Sequence, residues 1–172
     1  MGEVPGRKLV RLFPTFPVVI AVAGEGDEAN PITLAMAHVF SFEPPMVGIG
    51  INDGRHSHGL IKALPEFVVA FPTHSMAQET LGAGTHSGRD GYKWPKVGLT
   101  PVPSQEVRPP SIKECPVNLE CKVVHEFDTG DHTWFVGEIV AHNVEEGYSP
   151  DDAMTYWGGK FRKPGDVVYL RR

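Results

Sequence analysis

The sequence predicts a mainly antiparallel β domain, a barrel or sandwich, with two or three helices at its periphery. Three observations carry that prediction. Short runs rich in Val, Ile and Phe recur along the chain, each closed by Gly, Pro, Asn or Asp. Helical signals are few and short. The 19 Gly and 16 Pro among 172 residues interrupt the chain too often for a helical bundle or coiled coil.

The elements follow in order. Residues 18–23 form a compact apolar strand, closed by the turn-forming Gly24-Glu25-Gly26-Asp27. Residues 45–51 place Val47, Ile49 and Ile51 on one face and Gly48 and Gly50 on the other. The glycine face leaves room for a close approach to the backbone. Ser57 is positioned to cap a helix over residues 58–64, which Pro65 terminates. Residues 67–71 give a third strand. Ser75 caps a second helix over 76–81, ended by Gly82. Residues 82–116 show no strong period and form a stretch long enough to be functional. Strands follow at 119–127 and 133–144, the second with alternating faces. Ser149-Pro150 opens a short helix through Asp151, Asp152 and Met154. Residues 166–170 read as a last strand.

Length and composition narrow the function. At roughly 100–200 residues per domain, residues 1–172 fit one domain. With 16 basic and 21 acidic residues the net charge is −5, and no Lys/Arg-rich run exists. Both facts weigh against a nucleic-acid partner. No apolar stretch approaches the ~20 residues of a bilayer span, and the first residues lack the layout of a secretory signal. No membrane association and a cytoplasmic location are therefore expected. The two cysteines, Cys115 and Cys121, are too few to staple the chain and read as small buried hydrophobes. The eight histidines show no zinc-type spacing, so no metal site is expected. Nucleophile elbow, phosphate loop and dinucleotide fingerprint are all missing from the sequence.

The most informative turn is Asn52-Asp53-Gly54-Arg55-His56-Ser57-His58. It leaves a strand, turns on Asp-Gly and enters a helix. Unpaired N–H groups at a helix start favour an anion, and Arg55 and Ser57 add a guanidinium and a hydroxyl. Upstream, Asn30, Thr33 and the run Ser41-Phe42-Glu43-Pro44-Pro45 lead into the glycine-bearing strand. Downstream come Gly59-Leu60-Ile61, Glu66-Phe67-Val68-Val69, Ser87-Gly88-Arg89-Asp90 ahead of Lys93, the segment from Cys115 to Cys121, and Gly137-Glu138-Ile139. In order and spacing, across residues 14–170, these resemble the flavin reductase-like, FMN-binding split-barrel family (flavoredoxin-like).

The resemblance implies a six-stranded antiparallel Greek-key split barrel, a homodimer with FMN near the subunit interface. It implies that Thr33, Leu34, Ala35, Met36 and Ala37 lie along the flavin ring and ribityl chain, with Asn30 and Ser41 in the same binding set. Asn52, Arg55, His56 and Ser57 would hold the phosphate. Ser87, Gly88 and Lys93 would close over the cofactor, Lys93 placing a positive charge near the phosphate or the reduced ring. His38 would donate to reduced flavin or cap a turn. Many relatives carry Ser-Trp where this chain has Ala35-Met36, and Asp where it has Tyr92. The implied activity is hydride acceptance from NADH or NADPH by bound FMN, then transfer to a second flavin, ferric iron or a protein. No catalytic side chain is required, because the cofactor carries the chemistry. The alternative is a non-catalytic electron carrier of flavoredoxin type. Residues 82–94, with Gly82, Gly84, Gly88 and Gly91, are expected to gain their shape only against flavin at the dimer interface.

Overall fold

The computed structural model describes residues 12–168. Its main sheet has seven strands: β2 (Val19–Ala23), β3 (Asn30–Leu34), β4 (Ala37–Phe42), β5 (Pro45–Asn52), β6 (Glu66–Phe71), β9 (Val117–Thr129) and β10 (His132–Val144). Smaller pieces are β1 (Phe16–Pro17), β7 (Pro101–Val102), β8 (Ser111–Ile112), β11 (Thr155–Trp157) and β12 (Lys160–Arg162). Two α-helices, α1 (His56–Ala63) and α2 (Ala77–Thr85), lie outside the sheet.

The main sheet is antiparallel throughout, in the order β3-β2-β6-β9-β10-β5-β4. Its two outermost strands, β3 and β4, are consecutive in the chain and separated by Ala35 and Met36 alone. So short a connection spans only about 10 Å, so the sheet must curl until its edges meet. The N–H of Gly50 on β5 donates to the Met36 carbonyl oxygen at 2.8 Å, extending the β4–β5 ladder into this corner. The six expected strands become seven because residues 30–42 break at this corner.

The barrel interior is one apolar cluster drawn from all round the sheet, including Ala21, Leu34, Ile49, Ile51, Phe67, Cys121 and Phe135. A second cluster lies outside it. Ile20, Val22, Val68 and Ala70 point out from β2 and β6 against Ala83 of α2 and against Trp94, Leu99 and Ile112. Strands buried on both faces read as unbroken apolar runs, which is why β2 and β6 stand out in the sequence. Among the described residues no helix is long and apolar enough to cross a membrane.

Several local expectations are corrected. Helix α1 begins two residues early, Arg55 takes the N-cap position and no side chain caps it. Ser57 is instead fully buried inside the first turn. Helix α2 runs through Gly82 and Gly84 rather than stopping. A Cβ at Gly82 would lie 3.2 Å from Val97 Cγ1, and one at Gly84 3.2 Å from Thr33 Cβ. Both glycines serve close packing, not termination. Ser149-Pro150 opens only a 3-10 turn, Pro150–Asp152, before the bridge from Thr73 to Ala153 pulls the chain extended. Residues 166–168 pair with nothing among the described residues, and 169–170 lie outside them. The last paired strands are β11 and β12, joined through Gly158 and Gly159, both at positive φ.

Candidate functional site

A cleft of about 620 Å³ opens where the barrel closes. Thr33, Leu34, Ala35 and Met36 form one wall, Gly50, Asn52, Gly54 and Arg55 another, and Gly84 and His132 also line it. As the terminal strand, β3 has one edge whose N–H and C=O groups lie outside the ladder. That edge offers alternating donors and acceptors to a flat ring. The Thr33 hydroxyl donates to the Thr80 carbonyl oxygen, so this residue presents backbone rather than Oγ1.

The turn after β5 is built by Asn52. Its Oδ1 accepts from Gly54 N at 3.0 Å, and its Nδ2 donates to the Asp131 carbonyl oxygen at 2.7 Å. Asn52 therefore shapes the turn that brings Arg55 to the cleft. The Arg55 side chain is exposed and makes no ion pair among the described residues.

A narrower branch of about 90 Å³ leads off, sharing Ile32, Gly54, Arg55 and Gly84 with the cleft. Asn30, His56, Ser87, Gly88 and Lys93 also line it, and none of its lining residues is acidic. Lys93 is buried, its Nζ donating to the carbonyl oxygens of Ala83 at 3.0 Å and His86 at 2.9 Å. These carbonyls end α2, where a cation is favoured. Burial, and then the nearby Arg55, lower the Lys93 pKa to about 8. Asn30 Nδ2 donates to Ser57 Oγ at 2.7 Å, whereas its buried Oδ1 has no partner. Three cations (Arg55, Arg89 and Lys93), an unsatisfied buried amide oxygen and the start of α1 thus surround a space that no acidic side chain lines. That donor set fits a phosphate group, and the cleft volume fits a flat ring system of drug size.

Residues 87–90 form a strap over this branch. Ser87 Oγ accepts from Arg89 N at 3.2 Å, and Arg89 Nη1 donates to the Gly54 carbonyl oxygen at 2.8 Å. Beyond it, Trp94 is buried and its Nε1 donates to the Ala29 carbonyl oxygen at 2.7 Å. Residues 82–94 are thus pinned at Arg89, Lys93 and Trp94.

Most sequence-predicted site residues converge here. Thr33, Leu34, Ala35, Met36, Asn52 and Arg55 line the cleft, and Asn30, His56, Ser87, Gly88 and Lys93 the branch. Three do not reach it. The Ser57 hydroxyl is turned to Asn30. Ala37 lines a separate apolar cavity of about 330 Å³ with His38, whose Nδ1 contacts the Val39 carbonyl oxygen. Ser41 lies beside the bulge on β4 and lines neither space. The open side of Gly48 is filled by the Phe40 ring, so only Gly50 borders the cleft.

His132 was missed. It pairs with Asn52 across β10 and β5, and its Nδ1 sits 2.7 Å from Asp131 Oδ1. A carboxylate on Nδ1 fixes the ring and leaves Nε2 as the available nitrogen. Aligning the two predicted strands from their turns would have found it. His56 and His58 diverge because they lie on a helix. His56 faces the branch, while His58 Nε2 meets Thr133 Oγ1 at 3.0 Å. Among the described residues no three His, Cys, Asp or Glu side chains are grouped to hold a metal.

Comparison with known proteins agrees with this geometry. Residues 10–165 match the family model described as "Flavin reductase like domain". An uncharacterized protein of Archaeoglobus fulgidus is 47% identical over 131 residues, covering 75% of this chain and 72% of that protein. The NADH-dependent FAD reductase of Streptomyces globisporus is 28% identical over 158 residues, covering 91% and 84%. Among solved structures, flavoredoxin from Methanosarcina acetivorans superposes with a TM-score of 0.86 at 28% identity, covering 99% of this chain and 94% of that one.

Proposed function

Since the chain belongs to the flavin reductase-like domain family, we propose that it is an FMN-binding oxidoreductase reduced by NADH or NADPH. The acidic-free branch carrying Arg55 and Lys93 beside a flat cleft carries this reading. The free edge of β3 would hold the ring, and Arg55, Arg89 and Lys93 in the branch would hold the phosphate. Bound flavin supplies the hydride and electron chemistry. The chain's own residues orient it: residues 33–36 meet the ring through the backbone, and the strap keeps water from the branch. Asp131 holds His132 at the cleft wall, ready to meet a ligand stacked on the ring. Electrons then pass to a second flavin, ferric iron or a protein. The reductase named among the relatives supports turnover.

A homodimer is part of the same proposal. Phe40 lies against both Phe127 and Trp134, with ring centroids 6.4 and 5.5 Å apart, and Phe40 and Phe127 are exposed on that sheet face. An apolar face of this kind suits a second copy of the chain. The likeness to flavoredoxin favours a second reading, a carrier that holds FMN without turnover.

One experiment tests both. Purified protein is loaded with FMN and titrated anaerobically with NADH or NADPH while flavin absorbance is followed. Bleaching by stoichiometric donor is expected of the reductase, and stable oxidised colour of the carrier. A protein that stays colourless after addition of FMN would end both readings.

A further inference from the structure

Asp53 is out of place in a turn that is to receive an anion. It stands two residues before Arg55, in a turn closed by the Arg55 N–H on the Asn52 carbonyl oxygen at 2.9 Å. Its side chain is 64% exposed, so no packing fixes it. An arginine side chain is long enough to fold back on a carboxylate so near in the chain. Arg55 nevertheless makes no ion pair among the described residues, and Asp53 lines neither the cleft nor the basic branch. Resting on the phosphate reading above, we infer that Thr133 and His58 hold Asp53 away from Arg55, and so set the preference of the site for a phosphorylated flavin without touching the ligand.

The holding contacts come from β10 and α1. Asp53 Oδ1 lies 3.2 Å from Thr133 Oγ1 and 3.5 Å from His58 Nε2. Thr133 Oγ1 has one proton and three polar neighbours: Asp53, Asp128 Oδ1 at 2.7 Å and His58 Nε2 at 3.0 Å. The nearer carboxylate, Asp128, takes that proton. His58 Nε2 then faces two oxygens with no hydrogen to give it, so it carries a ring proton and donates towards both. Asp53 thus depends on His58 for its donor, and the Thr133 hydroxyl fixes where that donor points. Both holders are set by the fold and not by the turn. Thr133 is buried opposite Ile51 in the β5–β10 ladder, and the His58 ring packs on Phe135 with centroids 5.4 Å apart. Asn52 is tied to the same hairpin through the Asp131 carbonyl oxygen, so two successive residues of the turn are drawn towards β10. Lys62, one turn further along α1, is already paired with Glu126. Without its holders Asp53 would turn to Arg55, cancel that charge and set a carboxylate beside the phosphate.

Flavin-free wild type, Thr133→Val, Thr133→Ser and the Thr133→Val, Asp53→Asn double variant are titrated with FMN and with riboflavin. Thr133→Val should weaken FMN about tenfold, the low end for a hydrogen bond to a charged group, and leave riboflavin unchanged. Thr133→Ser keeps the hydroxyl and should bind FMN as the wild type does. Asn at position 53 has no charge to give Arg55, so the double variant should recover wild-type affinity for FMN. Equal losses for the two flavins, or a loss that persists in the double variant, would make Thr133 merely structural and overturn the inference. An FMN affinity unchanged by Thr133→Val would overturn it too. Should Thr133→Val fail to fold, His58→Leu removes the donor from the other side. It should show the same loss for FMN alone, and its failure to do so would be equally decisive. A wild type that binds FMN no more tightly than riboflavin would remove the phosphate reading itself, and this inference with it.

Discussion

Arg89 on the strap donates from Nη1 to the carbonyl oxygen of Gly54, at 2.8 Å and 35 positions earlier in the chain. Gly54 belongs to the turn that delivers Arg55, so one bond ties the roof of the basic branch to its floor. Arg89→Ala should free the strap and raise the rate of FMN release about fivefold, the equivalent of ~1 kcal/mol for one exposed hydrogen bond. Stopped-flow displacement of bound flavin measures this. An unchanged release rate would show that the strap does not gate the site.

Arg55→Ala should weaken FMN by about 1.5–3 kcal/mol, the range for a hydrogen bond to a charged group. Riboflavin, which lacks the phosphate, should bind both proteins alike. Paired fluorescence titrations decide it, and equal losses for the two ligands would rule out phosphate capture.

Lys93 should make flavin affinity depend on pH. Its pKa of about 8 means that the ammonium is lost as pH rises through that value. FMN affinity should therefore fall above pH 8, and Lys93→Met should flatten the profile. Stability of the flavin-free protein changes in the other direction. The folded pKa lies below the ordinary 10.5, so between about 8 and 10.5 the unfolded chain binds more protons. Stability from Lys93 thus rises with pH across that window. Cys115 opposes it from pH 9 upward, because burial pushes its pKa to about 12, and Cys121 is pushed up likewise. Denaturant melts of wild type and Lys93→Met at several pH values isolate the lysine contribution.

Both cysteines are buried thiols, held protonated by burial, and neither lines the cleft or its branch. The Cys115→Ser, Cys121→Ser double variant should keep flavin occupancy and reduction rate. It should lose about 1–3 kcal/mol per site, the cost of burying a poorly paired hydroxyl. Turnover lost at full occupancy would contradict a structural role.

Gly137 and Gly48 offer a matched pair. A Cβ at Gly137 would lie 2.6 Å from Phe67 Cζ and 2.8 Å from Cys121 Cβ, both in the barrel interior. Gly137→Ala should cost about 1–3 kcal/mol by overpacking. The three atoms nearest a Cβ at Gly48 all belong to the ring of Phe40, which is 44% exposed. Gly48→Ala should stay within about 0.5 kcal/mol of wild type. Similar melting curves for the two variants would contradict this packing.

Legibility in the sequence followed the physics of each segment. Strands β2, β5, β6, β9 and β10 were readable because each joins an unbroken or alternating apolar pattern to clear turn residues. Strands β3 and β4 were not. Pro31 breaks the strand signal and is tolerated because β3 is the terminal strand, while β4 is largely exposed and has no buried face to mark it. The hairpin of β11 and β12 did carry a signal, the Gly158-Gly159 pair at its turn. At the site, the turn that presents Arg55 and the strap were legible from residue types. The position of His132 was not, since it depends on register, and the inward turn of Ser57 depends on its pairing with Asn30.

Ala35 and Met36 join the two outermost strands of the sheet, and the ligand cleft lies against that corner. In the proposed binding mode the corner would meet its ligand with main-chain atoms, and every amino acid except proline supplies the same N–H and C=O there. Mutation can therefore exchange these two side chains, and with them the surroundings of whatever approaches the ring, while the hydrogen-bonding edge is inherited intact. A lineage of such proteins is free to change its electron donors and acceptors without relearning how to hold its cofactor.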